Sequence, residues 1–319
     1  MNDQVSKNSM YNLLNFASRL PLQILRGFAR GLAGLVNVFH MTKTSKIIRL
    51  NLKITLPELS EKERERITRQ AIRNELMSYF EFFHIWGSSN QKNIKRIHTI
   101  TGEHLLHQAL DENKGVVLIV PHFGTWEIMN AYIAQFTPMT IMYKPVKDPT
   151  ADTFVREARS RENAHLVPTD ESGVRQIFKA LKQGATTVIL PDHTPNVGGE
   201  YIPYFGVPLA TSNLSAKLIQ KTKAKALFLY AKRNANQGFD MCIEEILDEI
   251  YDCDANQGTQ VILSKLKALI QLYPEHYHWS YKRFKAHPDL GRIYDISEDQ
   301  ALEKIKKIRE KSGNQEIEM

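Results

Sequence analysis

The stretch that decides the fold is Gly115-Val-Val-Leu-Ile-Val-Pro-His122-Phe-Gly-Thr-Trp-Glu127. Its apolar, mostly β-branched residues end at a proline and predict a buried strand. Gly124 and Thr125 then precede a helical pattern, so we expect a strand, a turn and a helix in succession. This order places His122 at the carboxyl end of the strand and Glu127 in the first turn of the helix. Ligands bind at that edge in open α/β sheets.

His122 and Glu127 are therefore candidates for a catalytic base and the carboxylate that orients it. Their spacing alone is not specific, because His98, His107 and His165 are also followed by an acidic residue five positions later. Of these four histidines, only His122 follows a buried-strand pattern and opens a helix. The alternative role for Glu127 is that of a carboxylate that merely complements the helix dipole.

The composition is that of a soluble globular enzyme with one or two domains, since 42% of the 319 residues are hydrophobic and 24% are charged. The two cysteines, Cys242 and Cys253, give no disulfide framework. No run of residues resembles a signal peptide with a small-residue cleavage site. We therefore expect the body of the protein to lie in the cytoplasm.

The net charge of +7 is concentrated near the N-terminus. Residues 1–53 contain eight Lys or Arg against Asp3 alone, and the rest of the chain sums to zero. A neutral body argues against nucleic-acid binding. A basic, apolar N-terminus on a neutral body instead suits an anionic membrane surface.

The apolar segment 10–40 predicts an amphipathic helix associated with a membrane. Its longest uncharged run, 31–42, is shorter than the roughly 20 apolar residues that cross a bilayer. Arg19, Arg26 and Arg30 are spaced seven and four apart, hence on one helical face, which favours a helix lying in the interface. The alternative is an ordinary amphipathic helix that packs on the body.

Strand patterns recur after the His122 turn and are separated by helical or turn patterns. They cover residues 139–143, 165–169, 185–192, 224–233 and 239–246. This alternation predicts an α/β fold with a mainly parallel central sheet and helices on both faces. Asp192 ends one of these strands, so we expect it at the same sheet edge as His122. The Pro- and Gly-rich stretch 193–208 that follows predicts a loop without regular structure.

Two helical segments carry further candidate residues. Ser60 and Glu63 form a capping-box pattern that opens a helix running to about Trp86. Its aromatic cluster Tyr79, Phe80, Phe82 and Phe83 belongs to the core or borders a slot for an acyl chain. The second segment, Phe154-Val-Arg156-Glu-Ala-Arg159-Ser-Arg161, places three arginines on or near one side. They either pair with acids on a solvated face or receive anions.

Taken together, these stretches resemble one family, the late acyltransferases of lipid A biosynthesis within the wider lysophospholipid acyltransferase-like group. The resemblance covers roughly residues 45–288 and rests on the order and spacing of several motifs. They are Asn51-Leu, Leu56-Pro-Glu-Leu-Ser, His122-Phe-Gly-Thr-Trp-Glu127, Tyr143-Lys-Pro, Asp148-Pro, Arg159-Ser-Arg161, Leu166-Val-Pro, Leu190-Pro-Asp192, Pro203-Tyr-Phe-Gly-Val-Pro and the run from Trp279 to Lys285. The chain departs from the family at Pro191-Asp192-His193-Thr194, where the family often reads Pro-Asp-Gln-Asp.

The resemblance implies a Gram-negative inner-membrane protein that faces the cytoplasm. We expect it to use no cofactor and no metal. It implies that acyl carrier protein donates the acyl chain and that a Kdo-bearing lipid A precursor accepts it. The corresponding division of the chain is a membrane anchor at 1–42, an acyltransferase domain at 43–293 and a charged helix with a tail at 294–319. The nearest alternatives are an acyltransferase acting on a glycerophospholipid or another glycolipid, a lipid thioesterase, and a membrane-associated binding protein without catalysis.

Each candidate residue receives a role in such a transfer. His122 is assigned the base role because imidazole titrates near neutral pH, and Glu127 would fix its tautomer and stabilise the imidazolium. Asp192 would assist from the same edge, and Arg159 would contact an oxyanion or a phosphate. Further candidates for contact with substrate are Lys144, Trp126, Arg156 and Arg161. No G-x-S-x-G motif occurs and neither cysteine lies near this edge, which predicts direct transfer without an acyl-enzyme.

Overall fold

A computed structural model describes residues 11–12, 14–39, 42–195, 198–234 and 238–317, with the backbone alone for 313–317. Contacts within the chain divide it into two units. The sheet unit comprises Met1–Gly31, Leu76–Ile189 and Leu218–Glu245, and the hairpin unit comprises Leu32–Glu75, Leu190–Lys217 and Ile246–Met319. The two units alternate along the chain, so they do not coincide with the three linear segments expected from the sequence, which stay a prediction.

The sheet unit is organised around a seven-stranded sheet. Its strands are β1 (Ile97–Thr101), β2 (Val116–Ile119), β3 (Met139–Met142), β4 (Ala164–Val167), β5 (Thr186–Ile189), β8 (Lys225–Arg233) and β9 (Phe239–Glu245). Within the described residues their spatial order is β1, β9, β8, β2, β5, β3, β4. Neighbouring strands pair in parallel, apart from β8 with β9. The mainly parallel sheet predicted from the sequence is confirmed.

Helices alternate with the strands of the sheet unit, as predicted. They are Asn90–Ile94, Glu103–Asp111, Glu127–Ile133, Pro149–Arg161 and Glu171–Lys182, together with the sheet-unit portions of Leu22–Phe39, Glu61–Gly87 and Leu214–Thr222. Asp148 and Asp170 are the N-cap residues of Pro149–Arg161 and Glu171–Lys182. Each accepts a hydrogen bond of 2.8 Å from a backbone N–H in the first turn of its helix. That helices cover both faces of the sheet stays a prediction.

Strand β2 lies at the centre of the sheet, between β8 and β5. All four of its residues are buried, which is the pattern of a strand covered on both faces. Ile119 at its carboxyl end is in register with Ile189 of β5 and Phe228 of β8. Because these three strands are parallel, the segment that follows β2 emerges at the carboxyl edge of the sheet.

The hairpin unit contains two strands where the sequence predicted an irregular loop, so that prediction is wrong for this segment. Strands β6 (Glu200–Tyr204) and β7 (Val207–Thr211) pair antiparallel around the turn Phe205-Gly206. Both turn residues have positive φ, at 50° and 75°, as a two-residue hairpin turn requires. Pro203 and Pro208 face each other in the ladder, and a two-stranded ribbon accommodates proline because each strand is an edge.

The helices of the hairpin unit are Lys43–Thr55, Ala255–Leu272 and Glu298–Ile317, with the first part of Glu61–Gly87. The predicted capping box is confirmed, since Ser60 and Glu63 exchange side-chain and backbone hydrogen bonds at 3.2 and 3.3 Å. Asn51 donates to the carbonyls of Trp279 and Tyr281 at 2.7 and 2.9 Å. The C-terminal helix is Glu298–Ile317, within the segment 294–319 where a charged helix and a tail were expected.

The helix Leu22–Phe39 has apolar residues on two sides. Leu22, Leu25, Ala29 and Ala33 are buried, whereas Ile24, Phe28, Leu32, Leu35 and Phe39 form an exposed stripe with a helical repeat. Arg26 is buried beside Glu81, so the prediction of three arginines on one interfacial face is wrong for this residue. Within the described residues, no helix has the length and apolar composition needed to cross a bilayer.

Candidate active site

The turn after β2 is held against the sheet by its backbone. The N–H of Thr125 donates to the carbonyl of Ala231 in β8 at 3.3 Å, and Gly124 forms a parallel bridge with the same residue. Gly124 has φ of 55°, and a Cβ at this position would lie 2.0 Å from the oxygen of Ala231. Only glycine fits this conformation and this close approach. The segment 121–126, here called the catalytic turn, therefore has a fixed path between β2 and the next helix.

His122 is half-buried on the catalytic turn, at the end of β2 where the sequence predicted it. Its ring meets the ring of Trp126 edge to face, with centroids 4.9 Å apart. Trp126 packs in turn on Phe82 at 4.5 Å. The imidazole thus lies beside apolar aromatic surface.

That surface is an aromatic wall made by Tyr79, Phe82, Phe83, Trp86 and Trp126. Phe82 contacts Tyr79 at 6.1 Å and Trp86 at 5.9 Å between ring centroids, and Phe83 contacts Trp86 at 5.9 Å. Tyr79 and Phe83 are 43% and 38% exposed, which is unusual for large aromatic rings. The wall is suited to border an alkyl chain next to His122, one of the two alternatives that the sequence left open.

Glu127 is buried at the start of the helix Glu127–Ile133, in the first turn as predicted. Its Oε1 accepts from Nη2 of Arg159 at 2.7 Å, and its Oε2 accepts from Nε1 of Trp86 at 2.9 Å. Nδ2 of Asn130 lies 3.5 Å from Oε2. A buried carboxylate requires such donors, and here they also fix its orientation. Trp86 thus joins the aromatic wall to the candidate catalytic carboxylate.

Arg159 lies between two buried carboxylates. In addition to Glu127, it contacts Oε2 of Glu162 through Nη1 at 3.1 Å, and its side chain is only 12% exposed. Burial lowers the pKa of Arg159, but the two carboxylates outweigh burial and raise it. Burial raises the pKa of Glu162 to about 7, against the attraction of Arg159 and with the repulsion of Glu127. This geometry makes Arg159 a residue that positions Glu127, while its contact with an oxyanion or phosphate stays a prediction.

The other basic candidates lie at the surface. Arg156 is exposed, pairs with Asp152 at 2.7 Å and lies over the ring of Tyr143 at 4.8 Å. Arg161 is exposed and donates to the carbonyl of Trp86. Lys144 is exposed just after β3. The three residues are accessible to a substrate, but their contacts with one stay a prediction.

Asp192 belongs to the hairpin unit, outside the sheet. It is fully buried, and its Oδ2 accepts from the hydroxyl of Tyr277 at 3.0 Å. Burial and the neighbouring Asp192 carboxylate raise the pKa of Tyr277 well above its usual range, so the phenol keeps its proton and donates. The structure thus gives Asp192 a buried partner, and its predicted place beside His122 stays a prediction.

Two buried carboxylates near the catalytic turn were missed by sequence reasoning. Glu162 follows the last arginine of its helix, and Glu81 lies within the aromatic cluster 79–83. Glu81 is a single charge among large apolar residues on a helix, and this contrast is the signal that could have identified it. Within the described part of the chain, no group of three or more His, Cys, Asp or Glu residues could hold a metal ion.

The sequence matches a family model and is similar to several bacterial proteins. Residues 10–286 match the family model described as bacterial lipid A biosynthesis acyltransferase. The chain is 26% identical over 279 residues to a lipid A biosynthesis acyltransferase of Haemophilus influenzae, covering 85% of this chain and 87% of that protein. It is also similar to the lipid A biosynthesis lauroyltransferase and palmitoleoyltransferase of Escherichia coli K12, with 24% and 25% identity over 85% of this chain and 88% of each of them.

Proposed function

Because the chain belongs to the bacterial lipid A biosynthesis acyltransferase family, we propose that it transfers a fatty acyl chain from acyl carrier protein to a hydroxyl group of a Kdo-bearing lipid A precursor. Membership of the family supports an O-acyltransferase that acts in the secondary acylation of lipid A. The observation that supports the finer proposal is a half-buried histidine in the catalytic turn, followed five residues later by a buried, firmly held carboxylate at the start of the next helix.

The proposed reaction begins when Nε2 or Nδ1 of His122 accepts the proton of the acceptor hydroxyl. The hydroxyl oxygen then bonds to the carbonyl carbon of the acyl thioester, and a tetrahedral oxyanion forms. When this intermediate collapses, the carbon–sulfur bond breaks and the imidazolium returns the proton to the departing thiolate. The products are an ester and free acyl carrier protein thiol, so no covalent acyl-enzyme is needed.

Glu127 would stabilise the imidazolium that forms during this step. Its carboxylate is already oriented by Arg159, Trp86 and Asn130, so little reorganisation accompanies the proton transfer. The aromatic wall gives the acyl chain an apolar surface beside the imidazole. The apolar surroundings also limit access of water, which favours transfer over hydrolysis.

The exposed apolar stripe of Leu22–Phe39 supports a second part of the proposal, that the protein binds the cytoplasmic face of the bacterial inner membrane. Phe28 and Leu35 are 63% and 58% exposed, which in water would be unfavourable for both. The double substitution Phe28→Glu with Leu35→Glu should move the protein from the membrane to the soluble fraction. Tyr201→Glu, which changes an exposed aromatic residue elsewhere, is the control. Unchanged membrane association of the double variant would contradict this part of the proposal.

The chemistry is tested with purified protein in detergent, acyl carrier protein loaded with a fatty acid, and a Kdo-bearing lipid A precursor. His122→Ala and Glu127→Ala should each lower the rate by roughly a hundredfold or more. Both variants should remain folded, because Glu127→Ala still leaves Arg159 paired with Glu162. His107→Ala is a matched control, since His107 is also followed by a glutamate five residues later but lies half-buried on another helix.

Three outcomes would contradict the proposal. Normal acylation by either variant would contradict the catalytic roles of His122 and Glu127. A stable acylated enzyme formed from the acyl donor alone would contradict direct transfer. Rapid release of fatty acid by the wild-type protein without acceptor would identify a thioesterase instead. Mass spectrometry of lipid A from cells with and without the protein should show a difference of one or two fatty-acid masses, which also gives the chain length.

A further inference from the structure

A buried cluster of charged and hydroxyl side chains in the sheet unit includes one residue of the catalytic turn, and the proposed reaction gives the cluster no role. Its members are Arg26, Ser78, Glu81, Thr125 and Arg233. Glu81 is at its centre and is completely buried, with 0% exposure. We call this group the Glu81 cluster.

The Glu81 carboxylate accepts hydrogen bonds from two arginines and a threonine. Nε of Arg26 donates to Oε1 at 2.6 Å, and Nε of Arg233 donates to Oε1 and Oε2 at 2.8 and 2.9 Å. The hydroxyl of Thr125 donates to Oε2 at 2.5 Å. Burial raises the pKa of Glu81, but the charges of Arg233 and Arg26 with the Thr125 hydrogen bond outweigh burial and leave the pKa lowered. The carboxylate is therefore ionised and holds all three groups at once.

The Glu81 cluster forms hydrogen bonds with two consecutive residues of the catalytic turn, Gly124 and Thr125. Thr125 is bonded through its side chain to Glu81 and to Nη2 of Arg233, the latter at 3.1 Å. The hydroxyl of Ser78 donates to the carbonyl of Gly124 at 2.8 Å and accepts from Arg233 at 2.6 Å. Gly124 and Thr125 lie between His122 and Glu127 in the chain, so their position sets the distance and angle between the two candidate catalytic groups.

On its other side the cluster contacts the helix with the exposed apolar stripe. Arg26 belongs to Leu22–Phe39, and its guanidinium lies between Glu81 and the ring of Phe239, 5.3 Å from the ring centroid. Phe28, two residues further along this helix, belongs to the exposed stripe. A single helix therefore carries both the proposed membrane-facing surface and a charge that bonds the carboxylate behind the catalytic turn.

We propose that Arg26 is a positioning residue: by holding Glu81 it fixes the catalytic turn, so that docking of the N-terminal helix and the geometry of the His122–Glu127 pair are coupled. This inference rests on the proposed function for its effect on rate, but its structural part concerns the turn alone. The N-terminal helix is then more than an anchor. Its removal lowers acyl transfer even when the substrate is dispersed in detergent and no membrane is needed.

The decisive comparison is Arg26→Gln against Arg30→Gln. Both variants remove one positive charge from the same helix, four residues apart, so the two variant proteins have the same net charge. Arg30 is exposed, whereas Arg26 bonds Glu81. Arg26→Gln leaves Glu81 paired with Arg233, which keeps the buried charges balanced and the protein folded.

In detergent, Arg26→Gln should lower kcat by roughly tenfold or more with KM within about twofold, because misplacement of the reacting groups acts on the chemical step. Arg26→Lys retains a cationic donor. It should lower kcat by about threefold or less where Arg26→Gln lowers it tenfold. Arg30→Gln should remain within about twofold of the wild type. A kcat of Arg26→Gln within twofold of the wild type, or an equal loss in Arg30→Gln, would overturn the proposal.

A readout without catalysis separates this inference from the proposed function. Hydrogen exchange of the backbone amides 123–128 should be faster by roughly tenfold or more in Arg26→Gln and unchanged in Arg30→Gln. If the wild-type protein transfers no acyl chain but this exchange pattern appears, the function fails and the coupling stands. If acyl transfer is normal and exchange in the turn is the same in both variants, the coupling fails and the function stands.

Discussion

Two buried ion clusters in the sheet unit contact the catalytic turn and the helix that follows it. One contains two cations and one anion, and the other contains one cation and two anions. In the Glu81 cluster one carboxylate lies between two guanidinium groups, Arg26 and Arg233. In the second cluster one guanidinium, Arg159, lies between two carboxylates, Glu127 and Glu162. We call the second group the Arg159 cluster. Glu81 and Glu162 are both buried and both paired with arginine, so burial and ion pairing alone do not decide whether a carboxyl group is ionised. The number of cations for each carboxylate decides it.

The consequences for proton binding are opposite as well. With two cations nearby, the pKa of Glu81 is lowered, and this carboxylate stays charged throughout the physiological range. Burial raises the pKa of Glu162 to about 7, and the single cation that it shares with Glu127 does not offset this rise. The Glu81 cluster is therefore a fixed element of structure, whereas the Arg159 cluster can gain or lose a proton near neutral pH. The most direct tests of this contrast change one carboxylate in each cluster.

The largest effect is expected when the single carboxylate of the Glu81 cluster is neutralised. Glu81→Gln leaves Arg26 and Arg233 buried without a counter-charge, which should lower the free energy of unfolding by about 3–5 kcal/mol. Glu162→Gln leaves Arg159 paired with Glu127 and removes one of two carboxylates that share this cation, so it should not lower the free energy of unfolding at pH 7. Urea unfolding of both variants measures the difference. Equal losses would show that the charge ratio does not matter.

The fold was largely predictable from the sequence because its signal is local. Runs of apolar residues between turn patterns identified β2, β3, β4, β5, β8 and β9 to within a few residues. Strand β1 was missed because it is a partly exposed edge strand whose polar residues give no apolar run. The hairpin of β6 and β7 was missed because Pro203 and Pro208 were interpreted as evidence against strands, a rule that holds for central strands and not for a two-stranded ribbon.

The candidate site was predictable only in part, for the same reason. His122 and Glu127 are five residues apart, so a local pattern predicts one in the turn after β2 and the other at the start of the next helix, where the structure has them. The partners of Glu81 are 55 and 152 residues away in the chain, and no spacing rule links them. The burial of Arg26 was likewise unpredictable, because helical periodicity places a residue on a face but does not specify what that face contacts.

A medium effect is expected from pH in the Arg159 cluster. The folded-state pKa of Glu162, about 7, is above its ordinary value of 4.5, so the folded protein binds this proton more tightly than the unfolded chain. The stability that this carboxyl contributes is present at low pH and is lost as pH rises from about 4.5 to 7, by roughly 3 kcal/mol. Glu162→Gln imitates the protonated form and should abolish that loss. If the wild type and the variant show parallel stability curves over this range, the carboxyl does not titrate as inferred.

The smallest effect is expected at His84, a buried histidine near the Glu81 cluster. Nη2 of Arg96 lies 2.7 Å from its Nε2, and since arginine can only donate, this nitrogen accepts. Burial lowers the pKa of His84, and the charges of Arg96 and Arg26 lower it further, against the backbone carbonyls of Ser18 and Leu20. The unfolded chain then binds this proton first, so the contribution of His84 to stability is lost as pH falls through about 6.5.

His84→Gln removes this titration and retains a hydrogen-bond acceptor for Arg96. Between pH 7.5 and 5.5 the wild type should lose stability relative to His84→Gln, whereas over the same range it should gain stability relative to Glu162→Gln. The two differences have opposite signs because burial disfavours the charged form of each group, which is the protonated form of His84 and the ionised form of Glu162. Neighbouring cations add to this effect at His84, and the Glu127 carboxylate adds to it at Glu162. Urea unfolding at three pH values measures both, and other titrating groups cancel in each difference. Slopes of the same sign would mean that at least one of the two groups does not titrate in the folded protein in the direction inferred.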